Sequence, residues 1–489
     1  MDRERIEEGV HEWTGLLDGG REGVDEFDEL EKLPLRVRPS IYKALPVYAL
    51  AQIAAFMLKA VHMNWVITLV CRDRYSEELS DGDPRCQKAD VQSLVSSYTA
   101  FCSLVSGVLG LYMLPRITKW SDKVGRKSVF GVFFVGDILG LVCMVALLKW
   151  WEYVDYRMLA ITYIVTGLCG TNVVITIMMS SYTSDCVRPT DRPKAMSYVT
   201  ACQLVGKCAG PFLSSQLLER SNGELTSTLY GALLFDALAV LTLIFGVPES
   251  KRSGEVSEED DQTWVQRFNI LRPLKKIWRV CREQDTRTCR NIIALLSVDL
   301  IYEIIINGRA GIAVLYPQMK FGWTAVELGY LESATAIARI VLLVLIIPAI
   351  IKLLRRFFHE SEHMTGISKT EITIVRYGNA LEVVGYTGYG LAVNVVQYIV
   401  SSFIATSGVI AKPFVQSSLL NLVPRHHIAA FLGAKGVLDG LFGIAFSSIG
   451  LSIYSYTVSR KPELLFYMSA AGYALVILIV TLSIKTSSI

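Results

Sequence analysis

The apolar positions of this chain gather into twelve blocks of roughly 20 residues or more, separated by short polar breaks and one long one. The blocks cover about 44–70, 91–115, 128–149, 158–182, 194–218, 227–247, 291–316, 326–351, 372–393, 396–422, 428–456 and 463–484. A bilayer core about 30 Å thick is crossed by roughly 20 helical residues. Hydrocarbon offers no partner to an unpaired amide, so helices are the form such blocks must take. The pattern therefore predicts an all-α membrane protein with twelve transmembrane helices. A hydrophilic stretch from Lys251 to Arg290 splits them six and six, which suggests two pseudo-symmetric six-helix bundles. The division expected is a tail over 1–43, a bundle over 44–250, a connector over 251–290 and a second bundle with a short tail over 291–489.

Composition agrees with that reading. Of 489 residues, 52% are hydrophobic and 19% charged, and the mean hydropathy of +0.40 is too high for a soluble chain of this length. The net charge of +3 points to no nucleic-acid partner. Its placement is more informative: 32 Lys and Arg fall in the termini and every second loop, against 10 in the opposite loops. Basic residues stay with the cytosol, so both termini are expected there. The first 40 residues are polar, so the first helix is expected to serve as an uncleaved signal-anchor. Glu12 to Leu17 in that tail fit an acidic dileucine sorting pattern, leaving the vacuolar membrane and the plasma membrane as the two candidate locations. In the connector, Trp264, Phe268 and Trp278 alternate with Arg267, Lys275 and Arg279. That mixture fits an amphipathic helix lying on an anionic leaflet. Ten cysteines are scattered without a C-x-x-C pair, and no metal site is expected. Cys71 and Cys86 flank a polar loop outside the cytosol, where a disulfide and two free thiols are both consistent.

After the second helix comes Thr118-Lys119-Trp120-Ser121-Asp122-Lys123-Val124-Gly125-Arg126-Lys127. This resembles the G-x-L-x-D-R-x-G-R-K signature of the major facilitator superfamily, with Asp122, Gly125, Arg126 and Lys127 matching. Thr118 stands in place of the usual first glycine, so helices two and eleven should approach less closely. Gly206 to Pro211 resembles the G-x-x-x-G-P motif on helix five, where Gly206 and Gly210 would admit close helix contact and Pro211 a bend. Ser214 and Ser215 replace the terminal glycines of the antiporter form. Tyr182 to Asp185 and Arg192 look closest to fungal relatives of the proton-coupled folate transporter family. The resemblance implies the major facilitator fold and a charge cluster of Asp122, Arg126, Asp185 and Arg192 that gates the cytosolic side.

Charges inside the spans are the candidate chemistry, because an ionisable group at the bilayer centre costs about 2.5–3.5 kcal/mol on insertion scales. Lys59, Lys207, Arg309, Arg339, Lys412 and Lys435 are the basic ones. In the family, helices one, four, seven and ten line the cavity. Lys59, His62, Tyr163, Arg309 and Lys412 fall on those helices and, with Arg339 on helix eight, are the candidate substrate-binding residues; the charge of Lys59 and Lys412, joined by Lys207 or Arg339, suggests an organic anion or zwitterion. Asp299 and Glu303, four residues apart, should repel, which suits one of them to carrying a proton. The rival is permanent neutralisation by Arg309 or another nearby cation. Lys435 and Asp439 at i, i+4 suit a local ion pair. Glu332 is open to a bridge or a substrate role, and Asp236 and Glu382 read as packing. No nucleotide-binding motif is present, so the proton gradient is the expected energy source and no cofactor is expected. The function expected is secondary active transport of a small molecule by a monomer in the bilayer. A drug–proton antiporter and a non-transporting nutrient sensor are the alternatives. No nucleophile–base constellation supports an enzyme.

Overall fold

The computed structural model describes residues 38–75, 84–150, 155–169, 172–187, 192–250, 285–358, 368–423 and 428–484. A few side chains within these, Asp122 and Arg192 among them, are outside the description. The dileucine pattern and the connector up to residue 284 also lie outside the described residues.

The first half contains α1 (Ile41–Tyr75), α2 (Ala89–Val124), α3 (Arg126–Trp150), α4 (Ala160–Cys169), α5 (Asn172–Cys186), α6 (Arg192–Arg220) and α7 (Leu225–Gly246). The second contains α8 (Thr286–Gly308), α9 (Ile312–Phe321), α10 (Ala325–Val341), α11 (Ile347–Phe358), α12 (Lys369–Leu391), α13 (Val395–Gly408), α14 (Ala411–Leu422), α15 (Ile428–Thr457) and α16 (Leu464–Ser483). Four spans are each built from two helices: α4 with α5, α8 with α9, α10 with α11, and α13 with α14. Twelve crossings result. Among the described residues, nine are long and apolar enough to cross a membrane on composition alone. The other three are α6, α8 with α9, and α12, and they carry Lys207, Asp299, Glu303 and Glu382. Polar groups lower their hydropathy, and those groups are the ones the bundle interior uses.

Several blocks read from the sequence as unbroken helices are interrupted, each with a local cause. Pro413 cannot donate to the carbonyl four residues earlier, and the break between α13 and α14 falls there, at Val409 and Ile410. A π-turn over Leu342–Ile346 precedes Pro348. The seventh span breaks at Arg309 to Gly311, where Gly308 lies directly against Gly450 of α15.

In the first half α1 packs on α6 and α7, and α4 on α2 and α3; in the second, α12 packs on α13 and α16, and α8 on α14, α15 and α16. The halves meet along two seams, α2 on α15 and α6 on α10. The α1–α6 contact depends on glycine. A Cβ at Gly206 would lie 2.5 Å from Gln52 Cβ, and one at Gly210 would lie 2.8 Å from the Ile53 carbonyl oxygen. Across the α2–α15 seam, the Ser93 hydroxyl donates to the Ser455 carbonyl at 2.8 Å. Across the other, Ser215 donates to the Val326 carbonyl at 2.8 Å and Gln216 Nε2 to the Tyr330 hydroxyl at 2.7 Å. Gln318 Nε2 donates to Asn64 Oδ1 at 3.3 Å. All four contacts lie in the half of the bundle away from the start of α1 and the end of α16. Large apolar side chains such as Phe245, Phe357 and Leu482 are exposed on the outer faces, where lipid replaces water as their solvent. The end of α1 is tied to the turn before α2 by a disulfide between Cys71 and Cys86, with Cα atoms 5.3 Å apart.

Gly210→Leu is expected to destabilise the fold by about 1–3 kcal/mol through overpacking against α1. Thermal unfolding of the purified variant should show a lowered melting temperature; an unchanged one would mean that α1 and α6 do not need this close contact.

Candidate functional site

Lys59 sits midway along α1, and its chain extends across the seam to Glu332 of α10, with Nζ 2.7 Å from Oε1. Lys412, on the first turn of α14, reaches Glu303 of α8 at 2.5 Å. Lys435 of α15 is held between Asp299 of α8 at 2.6 Å and Asp439 of its own helix at 2.5 Å. Gln416 Nε2 donates to the other Asp299 oxygen at 3.1 Å, and Asn307 Nδ2 donates to Glu303 Oε2 at 3.1 Å. Asp299 and Glu303 thus leave the same helix face towards different lysines. Of the rival reading, it is another nearby cation and not Arg309 that stands beside each carboxylate, Lys435 at Asp299 and Lys412 at Glu303.

Accessibility grades these pairs. The side chains of Lys59 and Glu332 are 41% and 30% exposed, those of Lys412 and Glu303 are 25% and 15%, and Asp299 is fully buried. A lysine this open at the centre of a span requires a water-filled space rather than hydrocarbon around it. Lys207 of α6 belongs to the same region, with Arg339, Lys59, Glu332 and Lys412 as its electrostatic neighbours. Residues from α1, α6, α8, α10 and α14 therefore converge on one charged zone between the halves.

His62, one turn from Lys59, shares a hydrogen bond of 2.9 Å with the Tyr163 hydroxyl of α4. Their rings meet edge-on with centroids 5.1 Å apart. Arg309 lies elsewhere, in the turn after α8, with its guanidinium 4.9 Å from the centre of the Tyr386 ring. Its charged neighbour is Glu382 of α12, which is 2% exposed. Arg339 also lies in the field of Glu382, and the rings of Tyr386 and Tyr473 stack with centroids 5.5 Å apart. This second group lies inside the C-terminal half, and Arg339 stands between it and the central zone.

The signature loop forms a third cluster, on the side of the chain ends. The Glu249 carboxylate accepts from the backbone N–H groups of Arg126 at 2.7 Å and Lys127 at 3.0 Å. It caps the N-terminus of α3, where the helix dipole favours an anion. Arg126 Nε donates to Asp185 Oδ2 at 3.0 Å, and its terminal nitrogen to Ser121 at 2.9 Å. Gly125 has φ +106°, and a Cβ there would run into the Glu249 carboxylate. Gly125, Arg126 and Asp185 are brought together as the motif suggested; the side chains of Asp122 and Arg192 lie outside the described residues. Lys127 instead donates to the Ile244 carbonyl at 2.9 Å.

Four residues matter here that the sequence left unassigned or read as packing. Glu332 is the partner of Lys59, Glu249 the cap of α3, and Glu382 the counter-charge to two arginines. Asp236 of α7 is fully buried and has Asp137 of α3 as its electrostatic neighbour. For Glu332, Glu382 and Asp236 the available signal was an ionisable residue within an apolar block, whereas Glu249 lies just past the end of one.

Comparison with known proteins bears on the family and the fold. The description of the Major Facilitator Superfamily matches residues 87–447. An MFS-type transporter, avaJ of Aspergillus versicolor, is 24% identical over 453 residues, covering 89% of this chain and 87% of its own. A proton-coupled folate transporter of Bos taurus is 20% identical over 399 residues, covering 79% and 78%. Among solved structures, a POT family transporter in complex with 5-aminolevulinic acid superposes with a TM-score of 0.61 at 13% identity, over 92% of this chain and 98% of that one.

The Lys59–Glu332 bridge invites a charge exchange. Glu332→Lys should place two ammonium groups in contact and lower the yield of folded protein in the membrane. Combining it with Lys59→Glu should restore that yield. A double variant no better than the single one would show that the pair does not join the halves.

Proposed function

Because the chain belongs to the Major Facilitator Superfamily and is a membrane transporter, we propose that it carries a small organic anion or zwitterion by alternating access, driven by the proton gradient. The observation that carries this reading is the Lys412–Glu303 pair at mid-span, accessible enough for exchange and buried enough to matter. Protonation of Glu303 removes its charge and releases the Lys412 ammonium. The solute's carboxylate or phosphate then takes the vacated position. When Glu303 gives up its proton on the other side, the pair re-forms and the solute is expelled. Asp299 supports this step by holding Lys435 away from the same position. The bovine relative's name couples protons to folate transport, and the solved POT family complex holds an amino acid, both in keeping with this assignment.

The two halves rock about the central zone in this scheme. The contacts of Ser93, Ser215, Gln216 and Gln318 make the seal on the face opposite the chain ends. On the reading that the termini are cytosolic, these contacts support assigning the described state as the one sealed on the outer face. The Gly125–Lys127 loop, Arg126 and Asp185, with Asp122 and Arg192, form the cytosolic latch of the alternate state. The Gly206, Gly210 and Pro211 stretch keeps α6 moving with α1.

The test is uptake into liposomes containing the purified chain, with an acid exterior. Glu303→Gln should lose stimulation by the pH gradient while still exchanging solute across the membrane. Gradient-driven uptake equal to the parent protein would remove Glu303 from the proton path. A carrier that prefers permanent cations to anions would overturn the substrate class.

A further inference from the structure

Most basic groups sunk in the bundle face an acid. Lys59 faces Glu332, Lys412 faces Glu303, and Lys435 faces Asp299 and Asp439. Arg309 and Arg339 lie in the field of Glu382. Lys207, like the two arginines, has no ion pair among the described residues, and it is the lysine of the central zone in that position. Among the described residues, no carboxylate stands within ion-pair distance of its ammonium and no hydrogen bond is made by it. Its surroundings contain Arg339, Lys59 and Lys412 against the single carboxylate of Glu332, which is already paired with Lys59. The Phe56 ring of α1 lies 5.7 Å from its Nζ. The zone as a whole holds one more cation than carboxylate, and an uncompensated cation at this depth is unfavourable until an anion arrives.

We propose that Lys207 is the first anchor for the anionic group of the transported solute, a carboxylate or phosphate monoester whose apolar body lies against Phe56. This rests on the anion-carrier reading above and adds the residue and the order of events. Lys59 and Lys412 are each occupied by a glutamate and need that partner displaced or protonated before they can bind. Lys207 needs neither, so the solute docks there before the proton reaches Glu303. Gly206 and Gly210 press α6 against α1 and so fix the backbone on either side of Lys207. The same helix packs on α10 across the seam. An anion on Lys207 therefore sits among cations of both halves, Lys59 from one and Arg339 and Lys412 from the other. Its charge favours their approach, which couples binding to closure.

Benzoate and phenyl phosphate serve as probes, titrated against the thermal unfolding of the full chain in detergent, with tetramethylammonium as the cation control. Lys207→Gln should weaken the apparent affinity by roughly 10- to 100-fold, the loss expected for one charge-assisted contact. Lys207→Arg should retain most of it. In the unmodified protein, the same anions should slow acylation of Lys207, read by site-resolved mass spectrometry, more than that of Lys435. This second measurement does not depend on a variant folding. Equal affinity in the Gln variant, or anions that stabilise the protein without shielding Lys207, would overturn the assignment while leaving anion transport intact. If neither probe stabilises the unmodified chain or enters liposomes with it, the anion-carrier reading fails and the anchor with it.

Discussion

A charge moved from water to hydrocarbon loses its hydration, and the cost is recovered only through a partner or a wet cavity. That constraint organises the interior of this protein. Lys59, Lys412 and Lys435 each reach a carboxylate on another helix, and the helices that carry these groups converge on the line between the two halves. Apolar packing builds each bundle, but it has little preference for which bundle face meets which, because lipid is as good a neighbour as leucine. Polar pairing supplies that preference. It also leaves something that can be rearranged, since an ion pair in a wet space can be broken by a proton or a competing anion at modest cost.

The remaining polar interactions sort by depth. Serine, glutamine and asparagine contacts close the seam on one face, where neutral groups can part without exposing a charge. Charged pairs occupy the middle. On the side of the chain ends, Glu249 and Asp185 bind the signature loop within its own half. The polar contacts thus grade from neutral at one face to ionic at mid-depth. The glycines of α6 add a rigid element, since the Gly206 and Gly210 contacts with α1 leave no room for sliding.

Two buried acidic groups lie apart from this line. Asp137 and Asp236 meet between α3 and α7, and Glu382 lies deep in the C-terminal half beneath Arg309 and Arg339. Both sit on helices that pack at the outside of their bundles in a twelve-helix carrier, which is why the sequence suggested packing roles. The tyrosines around Arg309 provide aromatic faces on which the guanidinium rests.

The twelve spans, their six-and-six division and the signature loop were legible in the sequence because each is a local property. A run of apolar residues long enough to cross a bilayer is a helix whatever surrounds it, and Asp122 to Lys127 lie within a few residues of one another. The interruptions at Val409 and before Pro348 were legible in principle, since proline states its own defect. The i, i+4 pair of Lys435 and Asp439 was local too, and it forms. What the sequence alone did not decide was which charge meets which. Lys59 and Glu332 are 273 positions apart, and Lys412 and Glu303 are 109 apart. Choosing among several acids for each lysine requires the relative rotation of whole helices. That rotation is set by the glycine contacts and seams of the folded bundle, so Lys207 was left without an acid by tertiary structure alone.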